Sequence, residues 1–262
     1  MRLTIIGCSG SFPGPESPAS SYLLEAEGFR LVLDLGNGAL GVLQRHASLY
    51  DIDAVALSHL HADHCLDMCG YWVARRYGPG GPQPAIPVHA PDGAAQRLTL
   101  AYGPEAAAGR SSGPGMAEAF TFHSLAPGTR AIGPFQVTTA RMNHPVETYG
   151  FRFEHGGRAL AYSADTGPCD ALVDLARDAD LLLCEAAFLT GESDRADLHL
   201  TGRQAGAAAE QAGVKHLVLT HLVAWNDKQR SFAEASETFT GRLSLAASGQ
   251  TFELGPVGPL PL

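Results

Sequence analysis

The sequence has 262 residues, 45% of them hydrophobic, which suits one sizeable α/β domain or two small ones. Charged residues make up only 17%, and the formal net charge is −9 at pH 7. Proteins that grip long nucleic acids usually present a basic stripe, whereas the only dense basic pair here is Arg75-Arg76. This composition therefore disfavours binding of a long nucleic acid.

Targeting signals are weak throughout the chain. The apolar run at residues 1–7 is too short for a signal peptide, and no window approaches a transmembrane span. The five cysteines are an odd number without paired spacing, which is typical of reduced thiols. We therefore expect a cytoplasmic protein that makes no use of a membrane.

The hydrophobic pattern predicts many short strands interspersed with helices. Strands are predicted at 2–7, 21–25, 30–34, 54–57, 86–90, 119–125, 135–142, 149–153, 158–163, 181–185, 215–220, 243–246 and 251–254. Helices are predicted at 39–47, 66–77, 93–102, 169–177 and 227–239, with an Ala-rich helix that follows Thr201 and ends at Gln211. The Gly- and Ala-rich stretch 103–118 is predicted to be a mobile loop or small helix, and a lid is one interpretation of it. No linker divides this series, so we expect a single domain over 1–262, an α+β fold with two facing sheets between helices.

A dense group of metal-ligating side chains follows the strand at 54–57. Within six positions stand His59, His61, Asp63 and His64. Imidazole and carboxylate groups suit zinc and similar divalent ions. Since four ligands exceed what one open catalytic centre needs from one loop, His59 and His61 are expected to hold one ion and Asp63 and His64 a second.

Three further candidates stand at the ends of later strands: His144, Asp165 and His221. Strands of one layered core deliver their carboxyl ends to one edge, so these dispersed residues are able to converge. A carboxylate can bridge two ions and an imidazole cannot, which favours Asp165 as the bridge. Asp34 and Glu185 are expected to support the site by hydrogen bonds.

The run His59-Leu60-His61-Ala62-Asp63-His64 resembles the His-X-His-X-Asp-His signature of the metallo-β-lactamase superfamily. The resemblance covers nearly the whole chain and implies a four-layer αββα sandwich. It implies that one ion is held by His59, His61 and His144, a second by Asp63, His64 and His221, and that Asp165 joins them. Zn²⁺ is the expected metal, although the same ligands would accept Mn²⁺ or Fe²⁺. Two such ions lower the pKa of a bridging water and bind phosphoryl oxygens, and Asp63 is expected to accept the proton of that water.

The segment His199-Leu200-Thr201 resembles one in the phosphodiesterase branch of the superfamily, where the histidine contacts the scissile phosphate. His199 is therefore expected to stabilise the transition state or to protonate the leaving group. A histidine at a helix start with a purely structural hydrogen bond is the alternative.

The phosphodiesterase branch includes RNase Z and small cyclic-phosphodiester hydrolases. RNase Z carries a long basic arm between the positions of His144 and Asp165, an interval of about twenty residues here, and its arginine after the first strand is missing from 16–20. Segments 7–11, 14–20 and 57–67 resemble actinobacterial proteins regarded as atypical cyclic-nucleotide phosphodiesterases. We therefore expect hydrolysis of a 3′,5′-cyclic nucleotide, cAMP above others, by a homodimer. The alternatives are an RNase Z-like endoribonuclease, a lactone or thioester hydrolase, and a non-enzymatic metal-bound scaffold.

Two smaller features have two interpretations each. Cys65 and Cys69, one helical turn apart, suit either core packing or a further metal site. Arg75 and Arg76 suit either a phosphate clamp or a solvated helix end.

Overall fold

Two seven-stranded mixed sheets form the centre of the protein. The structure is a computed structural model that describes residues 1–103, 115–192, 195 and 197–255. The first sheet has the spatial order β16 (Thr251–Glu253), β1 (Arg2–Gly7), β3 (Ser21–Ala26), β4 (Phe29–Leu35), β5 (Ala54–Ala56), β6 (Ile86–Ala90) and β7 (Phe120–Ser124). The second has the order β15 (Arg242–Leu245), β13 (His216–Thr220), β12 (Leu181–Glu185), β11 (Arg158–Tyr162), β10 (Tyr149–His155), β9 (Phe135–Arg141) and β8 (Gly128–Ile132). A two-stranded parallel ribbon joins β2 (Ser9–Gly10) to β14 (Leu222–Val223).

The helices cover the outer faces of the two sheets. They are α1 (Ala39–Leu43), α2 (Ala62–Cys65), α3 (Met68–Tyr77), α4 (Ala94–Tyr102), α5 (Asp170–Ala176), α6 (Gly202–Gln211) and α7 (Lys228–Ser236). One apolar cluster fills the space between the sheets, a second joins the first sheet to α1, α3 and α4, and a third joins the second sheet to α5, α6 and α7. The predicted αββα arrangement is therefore confirmed.

Strand direction determines where the functional side chains can meet. In the first sheet β4 to β7 are mutually parallel, and in the second β11, β12 and β13 are parallel. β9 runs in the same direction as β11 because each is antiparallel to β10. The apolar run at Leu181–Cys184 is buried on both faces, as expected of a central parallel strand. The carboxyl ends of these strands consequently lie along one edge of each sheet.

Some local predictions need correction. The helix predicted over 66–77 begins at Met68 as α3, and a separate short helix that was not predicted, α2, precedes it and includes Asp63 and His64. The edge strand β8 is missing from the prediction, because only Ile132 of its five residues is buried and the strand lacks an apolar alternation. Of the stretch 103–118, residues 104–114 lie outside the described residues, and Met116–Glu118 form a 3₁₀ turn. None of the helices in the described part of the chain combines the length and apolar character that crossing a bilayer requires.

The ambiguous cysteines and arginines have structural partners. Cys65 is buried and its thiol donates to the His61 carbonyl at 3.2 Å, while Cys69 packs beside α4. No cysteine belongs to a potential metal-binding group within the described residues, which favours core packing. Arg75 is buried and donates to Tyr71 and to the Pro84 carbonyl, so it is not free to clamp a phosphate. Arg76 pairs with Glu118.

Candidate metal centre

Asp34 anchors the histidine-rich segment to the first sheet. Its buried carboxylate accepts hydrogen bonds from the Ser58 amide at 2.7 Å, the Ser58 hydroxyl at 2.8 Å and His64 Nδ1 at 2.8 Å. Tyr162 Oη, from the second sheet, donates to the same carboxylate at 2.8 Å. Gly36 allows the close approach of α2, since a Cβ there would lie 1.9 Å from the Asp63 carbonyl oxygen. Asp34 thus supports the site by hydrogen bonding, as predicted.

The second sheet supplies its residues one at a time. His144 follows β9, Asp165 follows β11 and His221 directly follows β13. Backbone strain marks two of these strand ends, with φ of +52° at Ala164 and +53° at His221. Non-glycine residues adopt such conformations at a cost that surrounding structure must offset, and they concentrate at functional sites.

Two groups of four side chains meet where these strands end. In the first, His61 Nδ1 lies 3.1 Å from His59 Nε2 and 3.3 Å from His144 Nε2, and Asp165 Oδ2 lies 3.6 Å from His59 Nε2. In the second, His64 Nε2 lies 3.5 Å from Asp63 Oδ2 and 3.2 Å from Asp165 Oδ1. His221 Nε2 completes it, 3.4 Å from Asp165 Oδ2 and 3.8 Å from Asp63 Oδ2. Each group offers four ligand atoms within 4.8 Å of one another, and Asp165 belongs to both.

The outward nitrogens of these histidines are held by the protein. His144 Nδ1 donates to the Leu198 carbonyl at 2.9 Å, His59 Nδ1 is bonded to the Ser58 hydroxyl at 3.0 Å, and His221 Nδ1 to the Ser20 hydroxyl at 2.9 Å. Such bonds fix the ring orientation and present the other nitrogen to the centre, as metal-binding histidines require. The sequence did not indicate Ser20 or the Leu198 carbonyl, because a serine in a loop and a backbone group carry no distinguishing signal.

The inward atoms fit a cation. His64 Nε2, Asp165 Oδ1 and His221 Nε2 are buried and have no hydrogen-bond partner. Native proteins rarely leave such atoms unsatisfied. Burial, the largest cause, lowers the pKa of four of the histidines below the ordinary value: His59, His61, His144 and His221. Neutral imidazoles with inward lone pairs are the form that binds a metal.

His64 and the carboxylates differ from these four histidines. Burial opposes a charge on His64, yet the carboxylates of Asp165, Asp34 and Asp63 outweigh it and raise the His64 pKa well above its ordinary value. Burial likewise raises the pKa of Asp63 and Asp165, but neighbouring imidazoles hold both values below the usual range. Carboxylates therefore crowd this buried site in their ionised form, and a divalent cation would balance them.

His199 lies beside the two groups in a fixed orientation. Its Nδ1 donates to Glu185 at 2.8 Å, and the same carboxylate accepts from the Thr166 amide at 2.8 Å. Burial lowers the pKa of His199, but the Glu185 charge and hydrogen bond outweigh it and raise the value to about 9. Thr201 begins α6 with a capping box to Gln204, which holds the chain just after His199. All seven predicted ligands and His199 are thus brought together, with Glu185 in the predicted supporting position.

Known proteins of similar sequence share this architecture. A family model described as a beta-lactamase superfamily domain matches residues 30–222. The uncharacterized protein ML1173 of Mycobacterium leprae is 43% identical, over 97% of this chain and 89% of the relative. The probable metallo-hydrolase YhfI of Bacillus subtilis is 30% identical over 97% of this chain and all of the relative. The crystal structure of YhfI, a metallo-beta-lactamase fold protein, matches with a TM-score of 0.84 and 28% identity, covering 96% of this chain and 98% of YhfI.

A ribonuclease Z from Myxococcus xanthus is 28% identical, over 97% of this chain and 98% of the relative. Because the family model covers most of the sequence and YhfI is similar along its whole length, the chain belongs to the metallo-β-lactamase superfamily.

Proposed function

We propose that this protein is a dinuclear metal-dependent hydrolase of small phosphodiesters, with 3′,5′-cyclic AMP as its substrate. The observation that carries the proposal is the pair of four-residue groups that share Asp165, in which three buried inward atoms, His64 Nε2, Asp165 Oδ1 and His221 Nε2, have no hydrogen-bond partner. His59, His61 and His144 would hold one ion, Asp63, His64 and His221 the other, and Asp165 both. Two divalent ions, Zn²⁺ or alternatively Mn²⁺ or Fe²⁺, would supply Lewis acidity and lower the pKa of a water that they bind.

The protein residues around the centre have distinct roles in this proposal. Asp63 is ionised at neutral pH and so can accept the proton that the attacking water releases. His199 has Nδ1 occupied by Glu185, which leaves Nε2 to meet a phosphoryl oxygen or the departing alkoxide. The role of His199 favours a phosphodiester over a lactone or thioester. A cationic donor suits the non-bridging oxygens of a phosphodiester, which carry a negative charge, better than a neutral carbonyl oxygen.

The short connection between His144 and Asp165 favours a small substrate. Strands β10 and β11 are joined there by the two-residue turn Gly156-Gly157, which leaves no room for an extended arm. The chain also carries a net charge of −9, unfavourable for a tRNA. Cyclic AMP is chosen among small phosphodiesters because segments 7–11, 14–20 and 57–67 resemble cyclic-nucleotide phosphodiesterases.

An RNase Z-like endoribonuclease is the second candidate, supported by the 28% identity to the Myxococcus xanthus ribonuclease Z. That alignment extends over 304 residues, 42 more than this chain contains, so the ribonuclease has insertions that this chain lacks. By contrast, the alignment with ML1173 extends over 260 residues. The missing segments favour the small substrate.

The test is a substrate panel with metal-loaded protein: bis-p-nitrophenyl phosphate, 3′,5′-cyclic AMP, a precursor tRNA and a lactone. We expect hydrolysis of the first two, with 5′-AMP formed from cyclic AMP, and loss of both activities in His61→Ala. The exposed His46 is a matched control, and His46→Ala should retain both activities.

Cleavage of precursor tRNA without hydrolysis of cyclic AMP would favour the ribonuclease. Turnover of the lactone alone would favour carbon-centred chemistry. Absence of any hydrolysis by protein that demonstrably holds metal would contradict the proposal and favour a scaffold.

A further inference from the structure

Two exposed aromatic side chains pair on chain segments that adjoin His221. Trp225 is 74% exposed, the highest value among the large hydrophobic residues in the described part of the chain, and Phe12 is 38% exposed. Their ring centroids are 5.0 Å apart, with an interplanar angle of 36°. Tryptophan is usually well buried, so an exposed aromatic pair of this kind indicates a binding surface.

The pair is tied to His221 through the small ribbon. β2 and β14 pair at Leu222–Ser9 and Val223–Gly10, and His221 immediately precedes β14. Gly10 lies directly against His221, because a Cβ at Gly10 would be 2.9 Å from His221 Cδ2. Phe12 is two residues beyond Gly10. Trp225 is four residues beyond His221, which places its Cα within about 14 Å of the His221 Cα at full extension.

A second link ties the same loop to His199. Asn226 Nδ2 donates to the Ala187 carbonyl at 2.7 Å. Phe188, which follows Ala187 in the chain, lies edge-on to the His199 ring, and the two ring centroids are 5.0 Å apart. The loop that carries Trp225 is therefore fixed against the loop that lines the candidate catalytic histidine.

We propose that Phe12 and Trp225 form the base-binding surface of this enzyme, on which the planar heterocycle of a nucleotide stacks while its phosphate occupies the metal centre. This inference rests on the proposed function. Stacking on aromatic side chains is favourable for every base and does not read hydrogen-bonding patterns. The expected specificity is therefore for nucleotides over other phosphodiesters, with adenine and guanine both accepted and the larger purines preferred over pyrimidines.

Fluorescence tests the contact directly. The chain has two tryptophans, and Trp72 is only 5% exposed, so Trp72→Phe leaves Trp225 as the sole reporter. In the metal-loaded variant, 5′-AMP should quench the Trp225 emission, and ribose 5-phosphate, which lacks the base, should not. Equal responses to the two ligands, or no response at 5′-AMP concentrations that inhibit hydrolysis, would overturn the inference.

Kinetics in the otherwise native chain provide the second readout. Trp225→Ala should raise KM for cyclic AMP about 10-fold with little change in kcat, as expected for loss of one stacking contact. The KM for methyl riboside 3′,5′-cyclic phosphate, which has no base, should be unchanged. Tyr77→Ala removes another aromatic side chain, 67% exposed on α3, and should alter neither value.

Other outcomes would overturn the inference in identifiable ways. An equal rise in KM for both cyclic phosphates would mean that Trp225 acts through His221 and not on the base. A change in oligomeric state with unchanged KM would mean that the pair contacts a second copy of the chain. If no phosphodiester is hydrolysed at all, the proposed function fails, whereas the fluorescence comparison still reports whether a base binds.

Discussion

The two ends of the parallel strands in the second sheet both carry charged side chains, yet they differ in how those charges are satisfied. At the amino end, Asp180 accepts from Arg158 at 3.0 Å and from Lys215 at 2.9 Å, and the Lys215 side chain is 63% exposed. At the carboxyl end, Asp165 and His221 are buried, and each has an atom without a hydrogen-bond partner.

The difference separates an ion-pair network whose carboxylate is fully hydrogen-bonded from a ligand site. Ion pairs at a protein surface contribute little and need nothing further to satisfy them. Buried polar atoms that converge without partners are costly unless something else binds them. Position at a strand end is therefore not sufficient evidence of function, whereas burial together with unsatisfied inward atoms is.

The largest expected difference between the two ends of the sheet is in the loss of hydrolysis when one carboxylate is removed at either end. Asp165→Asn should lower hydrolysis by at least about 100-fold, because losing even an outer partner of a metal ligand costs 10–100-fold. Asp180→Asn should retain the activity and change the free energy of unfolding by about 1 kcal/mol or less. Steady-state rates and urea unfolding of both variants make the comparison. Comparable losses of activity in the two would contradict it.

Metal removal should affect the same end of the sheet. A ligand that binds only the native state at 100 times its dissociation constant stabilises it by about 2.7 kcal/mol. Chelation should therefore lower the thermal midpoint of the native chain and of Asp180→Asn by the same amount, and that of Asp165→Asn much less. Differential scanning calorimetry with and without added zinc measures the shifts. A chelation-independent midpoint in the native chain would count against a metal centre.

A smaller effect is expected at Glu185, which positions His199 without joining either four-residue group. Glu185→Gln keeps an acceptor oxygen but removes the charge, so kcat should fall about 10–100-fold while KM changes less. Glu234 is a matched control, since it is also buried and accepts hydrogen bonds, but from Thr190. Unchanged kcat in Glu185→Gln, or an equal loss in Glu234→Gln, would show that Glu185 has no specific role.

The smallest effect concerns His216 at the amino end. Burial, and after it the Arg242 charge, lowers the His216 pKa to about 4. Between the ordinary value of about 6.5 and pH 4 the unfolded chain binds a proton that the native chain does not, so stability falls as the pH falls. Urea unfolding should therefore show that, from pH 7 to pH 5, the free energy of unfolding of the native chain falls by more than that of His216→Gln. A difference independent of pH would contradict this assignment.

The sequence supported the two sheets and the converging ligands for physical reasons that also explain its failures. Continuous apolar runs such as Leu181–Cys184 mark buried parallel strands, and a ligand directly after such a run must lie at the common edge. In the edge strand β8 only Ile132 is buried, so the strand shows no alternation of apolar and polar residues. Ser20 and the Leu198 carbonyl act only through tertiary contacts with His221 and His144, which no local pattern records. Residence in the cytoplasm, a single domain over 1–262 and a homodimer stay predictions.

Metal content per folded chain tests the central proposal most directly. After saturation with zinc and removal of free ions, the native chain should hold two ions, and Asp165→Asn, with its native fold checked by circular dichroism, should hold fewer. A native chain that retains no zinc, or an Asp165→Asn variant that retains two ions with undiminished affinity, would contradict the account.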